Sequence, residues 1–217
     1  MMRRTLTSMS LLFLAAAPLL AQADPDKKVA GGALPAGWSG RTDRANQKLE
    51  DAKFVTMGSG YHVTSGPPAI YWNAQNTVKG PFTASATFRQ TKKPEHPEAY
   101  GLFFAGNKLD TPEQTYFYVL VRGDGKVLVN HRAGADVHKI VDWKEVPSAK
   151  KEDANGTATN TIGIDATKPD SVRLLVNGVQ VAALPGSSAG STDGIVGLRV
   201  NHNLDVHISD FKVAPKK

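Results

Sequence analysis

The sequence contains six histidines, a residue type whose side chain can bind metal ions or transfer protons. Imidazole nitrogens bind zinc, copper and nickel, and such sites usually draw ligands from short spacings on one element. No pair here shows a His-x-His spacing or a spacing of three to four residues, so no metal site is predicted. His131 shares a face with Val127 and Val129, which predicts a core-edge histidine bonded to backbone. Four histidines could still converge in the folded chain: His131, His138, His202 and His207.

Paired carboxylates are the second kind of chemistry to consider, because glycosidic hydrolysis needs two of them at a fixed separation. The nearest pattern is Glu95-His96-Pro97-Glu98, but Pro94 and Pro97 place it in a loop between strands, which indicates a solvated loop. Serines fall mainly in Gly-rich loops without a nucleophile elbow, and there is no cysteine. The sequence therefore predicts no catalytic residue.

A hairpin predicted at Gly123-Asp124-Gly125 brings a third set of side chains together. Its three-residue turn, with glycine available for the left-handed position, pairs Tyr118 with Asn130 and Tyr116 with Arg132. The same register turns the apolar side chains to the other face, where they would enter the core: Phe117, Val119, Val121, Val127 and Val129.

The first face of this hairpin mixes flat aromatic rings with amide and guanidinium donors. Rings of this kind stack on the apolar face of a sugar, and fixed polar groups bind its hydroxyls. We therefore predict a ligand-binding face made by Tyr116, Tyr118, Asn130 and Arg132, with Arg199 and His207 at its border if their own hairpin belongs to the same sheet, which the sequence leaves open. The alternative is an ordinary amphipathic outer face covered by a loop, and the sequence leaves both interpretations open.

The elements that must position these residues are β-strands. Short β-branched and aromatic runs alternate with Gly, Pro, Asn and Asp clusters about every ten residues, which is typical of an antiparallel sandwich. Phe82 to Arg89 alternates most cleanly, with one apolar and one polar face. No segment shows a sustained helical period. The predicted fold class is therefore all-β, a two-sheet antiparallel β-sandwich.

Two further hairpins are predicted. Asn177-Gly178 favours a type I′ turn with this register: Val176 with Val179, Leu174 with Val181, and Val172 with Ala183. Asn201-His202-Asn203 forms the other turn, and it would place Arg199 opposite Asp205 as a cross-strand charge pair. One shared face of this second hairpin is apolar: Val196, Leu198, Val200, Leu204, Val206 and Ile208.

The N-terminus predicts export. Arg3 and Arg4 precede an apolar stretch from Leu11 to Leu20 and then Ala21-Gln22-Ala23, the pattern of a signal peptide cleaved after Ala23, into the periplasm or outside the cell. The stretch is too short to span a bilayer, and without cysteine there is no lipid-acceptor residue, so no stable membrane anchor is predicted. We predict three segments: a signal at 1–23, an extended linker without regular structure at 24–48, anchored by Trp38, and one domain at 49–217.

Charge adds one exclusion. The chain carries 26 Lys and Arg against 20 Asp and Glu, a net charge of +6. The basic residues are scattered rather than clustered in a stripe with interleaved aromatics, so nucleic acid is not a predicted partner.

The order of several segments resembles the concanavalin A-like lectin/glucanase (laminin G-like) jelly roll, and is similar to the bacterial 3-keto-disaccharide hydrolase domain family. The resemblance covers roughly Lys53 to Val213 and rests on these stretches: Tyr100 to Phe104, Tyr116 to Val121, Gly125 to Arg132, Trp143, Val176-Asn177-Gly178, Gly194 to Leu198 and Val206 to Val213. It implies two antiparallel sheets of about a dozen strands in all, with a concave face that relatives often use for glycans.

The resemblance transfers no catalytic residue. Laminarinase-like relatives carry a Glu-x-Asp-x-x-Glu strand motif, which this sequence lacks. Calcium is common in this superfold, and Asp110 with Glu113, or Asp124 in its turn, could supply oxygen ligands. Turn chemistry explains Asp124 equally well, so no cofactor is predicted.

Three functions follow. The first is an exported, non-catalytic, lectin-like sandwich that binds carbohydrate or a cell-envelope ligand. The second is a hydrolase acting on a glycosidic bond of a (3-keto-)disaccharide or glycan, and the third is a structural envelope protein. One jelly roll hosts all three, so a cleft holding two carboxylates about 5 to 10 Å apart would favour the hydrolase. The sequence does not predict an oligomeric state.

Overall fold

The computed structural model describes residues 25–186 and 190–216 of the chain. Within these residues the chain forms fourteen β-strands, because turn-forming residues break its apolar runs before a helical period develops. In chain order they are β1 (Trp38–Thr42), β2 (Ala52–Met57), β3 (Gly60–Ser65), β4 (Ala69–Val78), β5 (Phe82–Gln90), β6 (Ala99–Asn107), β7 (Thr115–Arg122), β8 (Lys126–Ala133), β9 (Asp136–Glu145), β10 (Ala158–Lys168), β11 (Ser171–Val176), β12 (Val179–Pro185), β13 (Gly194–Val200) and β14 (Asp205–Pro215). A short 3₁₀ helix, Leu49–Asp51, lies between β1 and β2.

The strands form two seven-stranded antiparallel sheets. Sheet A has the order β1-β4-β13-β6-β7-β8-β9, and sheet B has the order β12-β11-β10-β5-β14-β3-β2. The two sheets pack face to face as a sandwich, which confirms the predicted fold class. No helix in the described residues is long and apolar enough to cross a membrane.

The main core lies between the two sheets. β5 shows why these sequences form strands with one buried face, because its alternate residues Phe82, Ala84, Ala86 and Phe88 are all buried. Phe88 of sheet B stacks on Tyr100 of sheet A, with ring centroids 5.3 Å apart. Burial of a large apolar side chain contributes about 1.5–3 kcal/mol, so such contacts across the sandwich hold the two layers together.

Two of the three predicted hairpins are present. β7 and β8 pair as predicted, with Tyr118 opposite Asn130 and Tyr116 opposite Arg132. At the second hairpin Asn177 and Gly178 both have positive φ, 52° and 81°, and the turn pairs Val176 with Val179 as predicted.

The rest of the predicted β11–β12 register is wrong by one residue. The ladder shifts between Leu174 and Leu175, so that Leu174 lies opposite Ala182 rather than Val181, and Val172 lies opposite Leu184 rather than Ala183. One extra residue on β12 forms a β-bulge, which the alternating pattern of the sequence does not reveal.

The third predicted hairpin is wrong. β13 belongs to sheet A and β14 to sheet B, so the turn at Asn201-His202-Asn203 crosses from one layer to the other. Arg199 pairs with Ile70 and Gly101, and Asp205 does not lie opposite it. The apolar sides of both strands are buried as expected, but they face each other across the core instead of lying side by side.

The segment predicted to lack regular structure contains one strand. Residues 25–37 have no regular structure, whereas Trp38–Thr42 forms β1 and pairs with β4 at the edge of sheet A. The Trp38 ring packs edge-on against Phe54, with centroids 5.0 Å apart, and its indole N–H donates to the Tyr61 hydroxyl at 3.2 Å. Trp38 therefore anchors this segment to sheet B. The predicted signal segment, 1–23, lies outside the described residues.

Candidate functional site

The predicted ligand-binding face is the outer face of sheet A, which points away from sheet B. Its side chains pack into a second hydrophobic cluster: Ile70, Trp72, Ala99, Phe103, Leu109, Tyr116, Tyr118, Leu120 and Leu128. The Phe103 ring lies against the backbone of Gly197, where a Cβ atom would overlap the ring. The absence of a side chain at Gly197 therefore makes room for the Phe103 ring on this face.

Five of the six predicted site residues meet on this face, but they form a buried polar network. The Arg199 guanidinium donates to the Tyr116 hydroxyl at 3.2 Å, and its central carbon lies 4.7 Å from the centre of the Tyr118 ring. The Asn130 amide donates to the Tyr118 hydroxyl at 2.9 Å. Tyr116, Tyr118 and Asn130 are 1%, 4% and 6% exposed, so these rings are not presented to solvent.

Arg199 forms a bidentate ion pair with Asp43, which follows β1. The two guanidinium nitrogens lie 2.7 and 2.6 Å from the two carboxylate oxygens. Burial by itself raises the pKa of Asp43, but the charge and hydrogen bonds of Arg199 outweigh this effect and hold that pKa below its ordinary value. The pKa of Arg199 is raised well above its ordinary value, because Asp43 outweighs the desolvation of the guanidinium. The pair is therefore fully ionised at neutral pH.

Arg132, the fifth predicted residue, fastens the same loop. Its Nη2 donates to the backbone carbonyl of Asp43 at 3.2 Å and its Nε donates to that of Gly134 at 2.7 Å. Arg41 also donates to the carbonyls of Leu109 and Thr111. Arginines thus tie two loops to the edge of the outer face.

His207, the sixth predicted residue, does not join this group. It lies on β14 of sheet B, opposite His62, because β13 and β14 belong to different layers. Its assignment to the same surface is wrong.

A cleft of about 420 Å³ opens beside Asp43. It is lined by charged, amide and proline side chains: Pro25, Asp26, Asp43, Arg44, Gln47, Pro68 and His202. Hydrogen bonds order two of these side chains, because Gln47 Oε1 accepts from the Arg44 N–H at 3.1 Å and Gln47 Nε2 donates to Asp26 at 2.6 Å. The Arg44 side chain is exposed at this cleft.

His202 closes one wall of the cleft. Its Nε2 lies 2.6 Å from Glu98 Oε1, and its Nδ1 lies 3.2 Å from Asp26 Oδ1. The hydrogen bond with Glu98 is the main cause that raises the pKa of His202. Protonated, the ring donates to both carboxylates and fastens the N-terminal segment to the crossing between β13 and β14.

Sequence reasoning missed this cluster. Glu98 belongs to the stretch interpreted as a solvated loop, yet its side chain is only 15% exposed. Asp26 and His202 are 176 positions apart in the chain, and Glu98 and His202 are 104 apart. No local spacing signals contacts of this range.

Two of the three candidate calcium ligands, Asp124 and Glu113, have other partners. The Asp124 carboxylate accepts from Arg122 at 2.9 and 2.6 Å and from the backbone N–H of Lys126, which is turn chemistry. Glu113 lies 3.0 Å from Lys108. Across residues 25–186 and 190–216, no group of three or more His, Asp or Glu side chains is arranged to hold a metal ion.

Comparison with known proteins identifies the fold. No family of known proteins matches the sequence, and no curated protein matches it. Among solved structures, the Emp47p carbohydrate recognition domain is similar with a TM-score of 0.56 at 12% identity, covering 88% of this chain and 93% of that one. The metal-free Emp46p carbohydrate recognition domain has a TM-score of 0.54 at 12% identity, covering 82% and 88%.

A glucanase is similar to the same degree. The Bacillus licheniformis β-glucanase has a TM-score of 0.53 at 12% identity, covering 90% of this chain and all of that one, 100%. Identities this low show the fold alone. The fold is the concanavalin A-like lectin/glucanase jelly roll, as the resemblance implied.

Proposed function

We propose that this chain is an exported, lectin-like protein that binds carbohydrate or a glycan of the cell envelope, without catalysis, in the cleft beside Asp43. The observation that carries this proposal is an ordered polar cleft at the edge of sheet A, in a fold shared with carbohydrate recognition domains.

The lining of the cleft suits sugar hydroxyls, each of which donates and accepts hydrogen bonds. The Arg44 guanidinium and the Gln47 amide supply donors, and Asp26 supplies acceptor oxygens. The volume of about 420 Å³ falls in the range of about 300–1,000 Å³ typical of small-molecule sites. Because hydrogen bonds already fix Gln47 and Asp26, binding loses little conformational entropy.

The predicted ligand face then has a supporting role. Arg199 donates to the Asp43 carboxylate and to the Tyr116 hydroxyl, and Arg132 donates to the Asp43 backbone carbonyl. The Tyr118 ring packs against the Arg199 guanidinium, and Asn130 donates to the Tyr118 hydroxyl. These five residues would position the loop that the ligand touches, instead of stacking on the sugar themselves.

The hydrolase remains the second candidate, because Asp26 and Asp43 line one cleft. A glycosidase acid must hold a proton, which requires a raised pKa, whereas the pKa of Asp43 is lowered and both its oxygens accept from Arg199. Both oxygens of Asp26 also have partners, in His202 and Gln47. These commitments favour binding over hydrolysis.

The test is a glycan array followed by calorimetry with the best glycan. Arg44→Ala and Gln47→Ala should each weaken binding by about 1–2 kcal/mol, roughly ten-fold, because each removes hydrogen bonds to the ligand. Lys53→Ala is the matched control, since it removes an exposed cation from β2 of sheet B. Equal affinity of the Arg44 and Gln47 variants and the wild type would exclude this cleft.

The same preparation separates binding from hydrolysis. We expect no release of reducing ends from laminarin. Turnover that is abolished by Asp26→Asn or Asp43→Asn, in variants shown to be folded, would establish the hydrolase instead.

A further inference from the structure

A second groove lies between the edge strands of the two sheets. β9 ends sheet A and β12 ends sheet B on the same side of the sandwich. The groove has a volume of about 350 Å³ and is lined by Phe117, His131, His138, Lys139, Ile140, Ala183, Leu184 and Pro185. Its walls are mostly apolar, and two histidines provide imidazole nitrogens.

The two histidines face each other across the β8–β9 hairpin. The turn pairs Ala133 with Asp136, and the register from there places His131 directly opposite His138. Their Nδ1 atoms lie 3.5 Å apart. The two residues are 7 positions apart in the chain, which is no ligand spacing for one element, yet an antiparallel hairpin brings such positions together.

The separation of 3.5 Å is long for a hydrogen bond and right for two ligands of one ion. Imidazole nitrogens bind zinc at about 2.0–2.1 Å, so two nitrogens 3.5 Å apart form an angle of about 115° at the ion, close to tetrahedral. Each neutral imidazole has one lone pair, and a metal ion accepts both.

The surroundings favour this chemistry. The Phe117 ring stacks on His131 with centroids 4.4 Å apart and so fixes the orientation of the imidazole. The cation in the groove, Lys139, lies 2.8 Å from Asp142, so its charge is balanced.

We propose that His131 and His138 bind one divalent transition-metal ion through their two Nδ1 atoms, with water completing the coordination. Two imidazoles and water suit Cu²⁺, Ni²⁺ and Zn²⁺, and the affinity for Cu²⁺ should be the highest of the three. Oxygen-seeking ions such as Ca²⁺ and Mg²⁺ should not compete. The groove and the proposed carbohydrate cleft share no lining residue.

The test is calorimetric titration of the tag-free, metal-stripped protein with Cu²⁺, Ni²⁺ and Zn²⁺. We expect one Cu²⁺ per chain. His131→Gln and His138→Gln should each weaken Cu²⁺ binding by at least about ten-fold. Mutation of a residue that only supports a metal ligand already causes a loss of this size. His96→Gln is the matched control, because His96 is an exposed loop histidine. It should leave the affinity within about two-fold of the wild type.

A spectroscopic measurement identifies the ligands directly. Electron paramagnetic resonance of the Cu²⁺ complex should show coupling to two imidazole nitrogens in the wild type and to one in His138→Gln. His138 is exposed, so this variant should keep the circular dichroism of the wild type even where His131→Gln does not. Unchanged Cu²⁺ affinity in His138→Gln overturns the proposal. Loss of binding in His202→Gln alone also overturns it, because the ion would then lie between Asp26 and Glu98.

Discussion

Arg199 forms a largely buried ion pair with Asp43 on the outer face of sheet A. Its side chain is 7% exposed and that of Asp43 is 19% exposed. The cost of desolvating two charges offsets much of their attraction, so the intact pair adds little net stability. Removing one partner is different, because it leaves a largely buried charge without compensation.

We therefore expect Arg199→Met to lower the free energy of unfolding by about 3 kcal/mol, at the low end for buried pairs because Asp43 retains some exposure. Arg173→Met is the control, since the Arg173–Asp165 pair is 44% exposed on the arginine side and should be worth less than about 1 kcal/mol. Urea denaturation of both variants measures the difference. Equal losses in the two variants would contradict this account.

His202 gives the stability a pH dependence. Its hydrogen bond with Glu98 raises its pKa in the folded protein above the ordinary value of about 6.5. Such a group contributes its full stability below the unfolded pKa, and this contribution is lost as the pH rises through the folded pKa.

The variant His202→Gln should thus be less stable than the wild type by about 1–2 kcal/mol near pH 5.5, with a smaller difference near pH 8.5. Thermal or urea unfolding at both pH values provides the measurement, with His96→Gln as the exposed control. A difference that stays constant with pH would show that the ring acts by packing and not by charge.

Local patterns were enough to place many residues correctly. The β7–β8 register brings Tyr116, Tyr118, Asn130 and Arg132 to one face, as the turn at Gly123-Asp124-Gly125 predicts. The contacts of this face with Asp43 span 89 positions from Arg132, and no spacing rule reaches so far. The sequence therefore placed these four residues on one face, but it predicted neither their network with Arg199 and Asp43 nor its burial.

At the scale of the elements, turn chemistry fixes the start of each register and bulges change it later. Asn177-Gly178 sets the pairing of Val176 with Val179, but the bulge on β12 moves Leu174 to Ala182. A bulge depends on how the edge strand twists against its neighbour, so alternation alone cannot locate it.

The backbones of β6 and β7 approach closely at Gly101, which provides a test of the strand pairing. Gly101 on β6 pairs with Leu120 on β7, and a Cβ atom at this position would overlap the carbonyl oxygen of Val119. The ladder must shift to admit a methyl group, so Gly101→Ala should cost about 1–3 kcal/mol.

Gly163→Ala is the matched strand control. Its Cβ would meet Leu175 at 3.6 Å, an ordinary contact, so we expect a neutral change or a gain of about 0.5 kcal/mol from the unfolded state. Chemical denaturation of the two variants measures the change in the free energy of unfolding. An equal change in both would show that the close contact with the Val119 carbonyl does not exclude a side chain at Gly101.

At the scale of the whole molecule, the sequence predicted the burial of side chains more reliably than it predicted which strands are neighbours. Leu198 and Val206 are both buried, as their positions in the alternating pattern predict, but their strands belong to opposite layers. Alternation reports the face that a side chain takes. Two strands joined by a short turn satisfy it equally well as a hairpin or as a crossing between sheets.

The cleft beside Asp43 is formed by segments that are distant in the chain. It combines the segment before β1, the turn after β1 and the crossing between β13 and β14, which meet at one end of the sandwich. The antiparallel alternation predicts the layers, and the layers then bring these loops together. A cleft built in this way leaves no motif in the sequence.

Export is the last prediction. Arg3 and Arg4, the apolar run and Ala21-Gln22-Ala23 predict that the mature chain begins at Asp24, because signal peptidase requires small residues at the first and third positions of this triplet. Intact-mass analysis of the exported protein measures the start directly. Ala23→Phe should block processing, whereas Gln22→Phe, at the tolerant middle position, should not. Exported wild-type protein that retains residues 1–23 would contradict the predicted cleavage after Ala23.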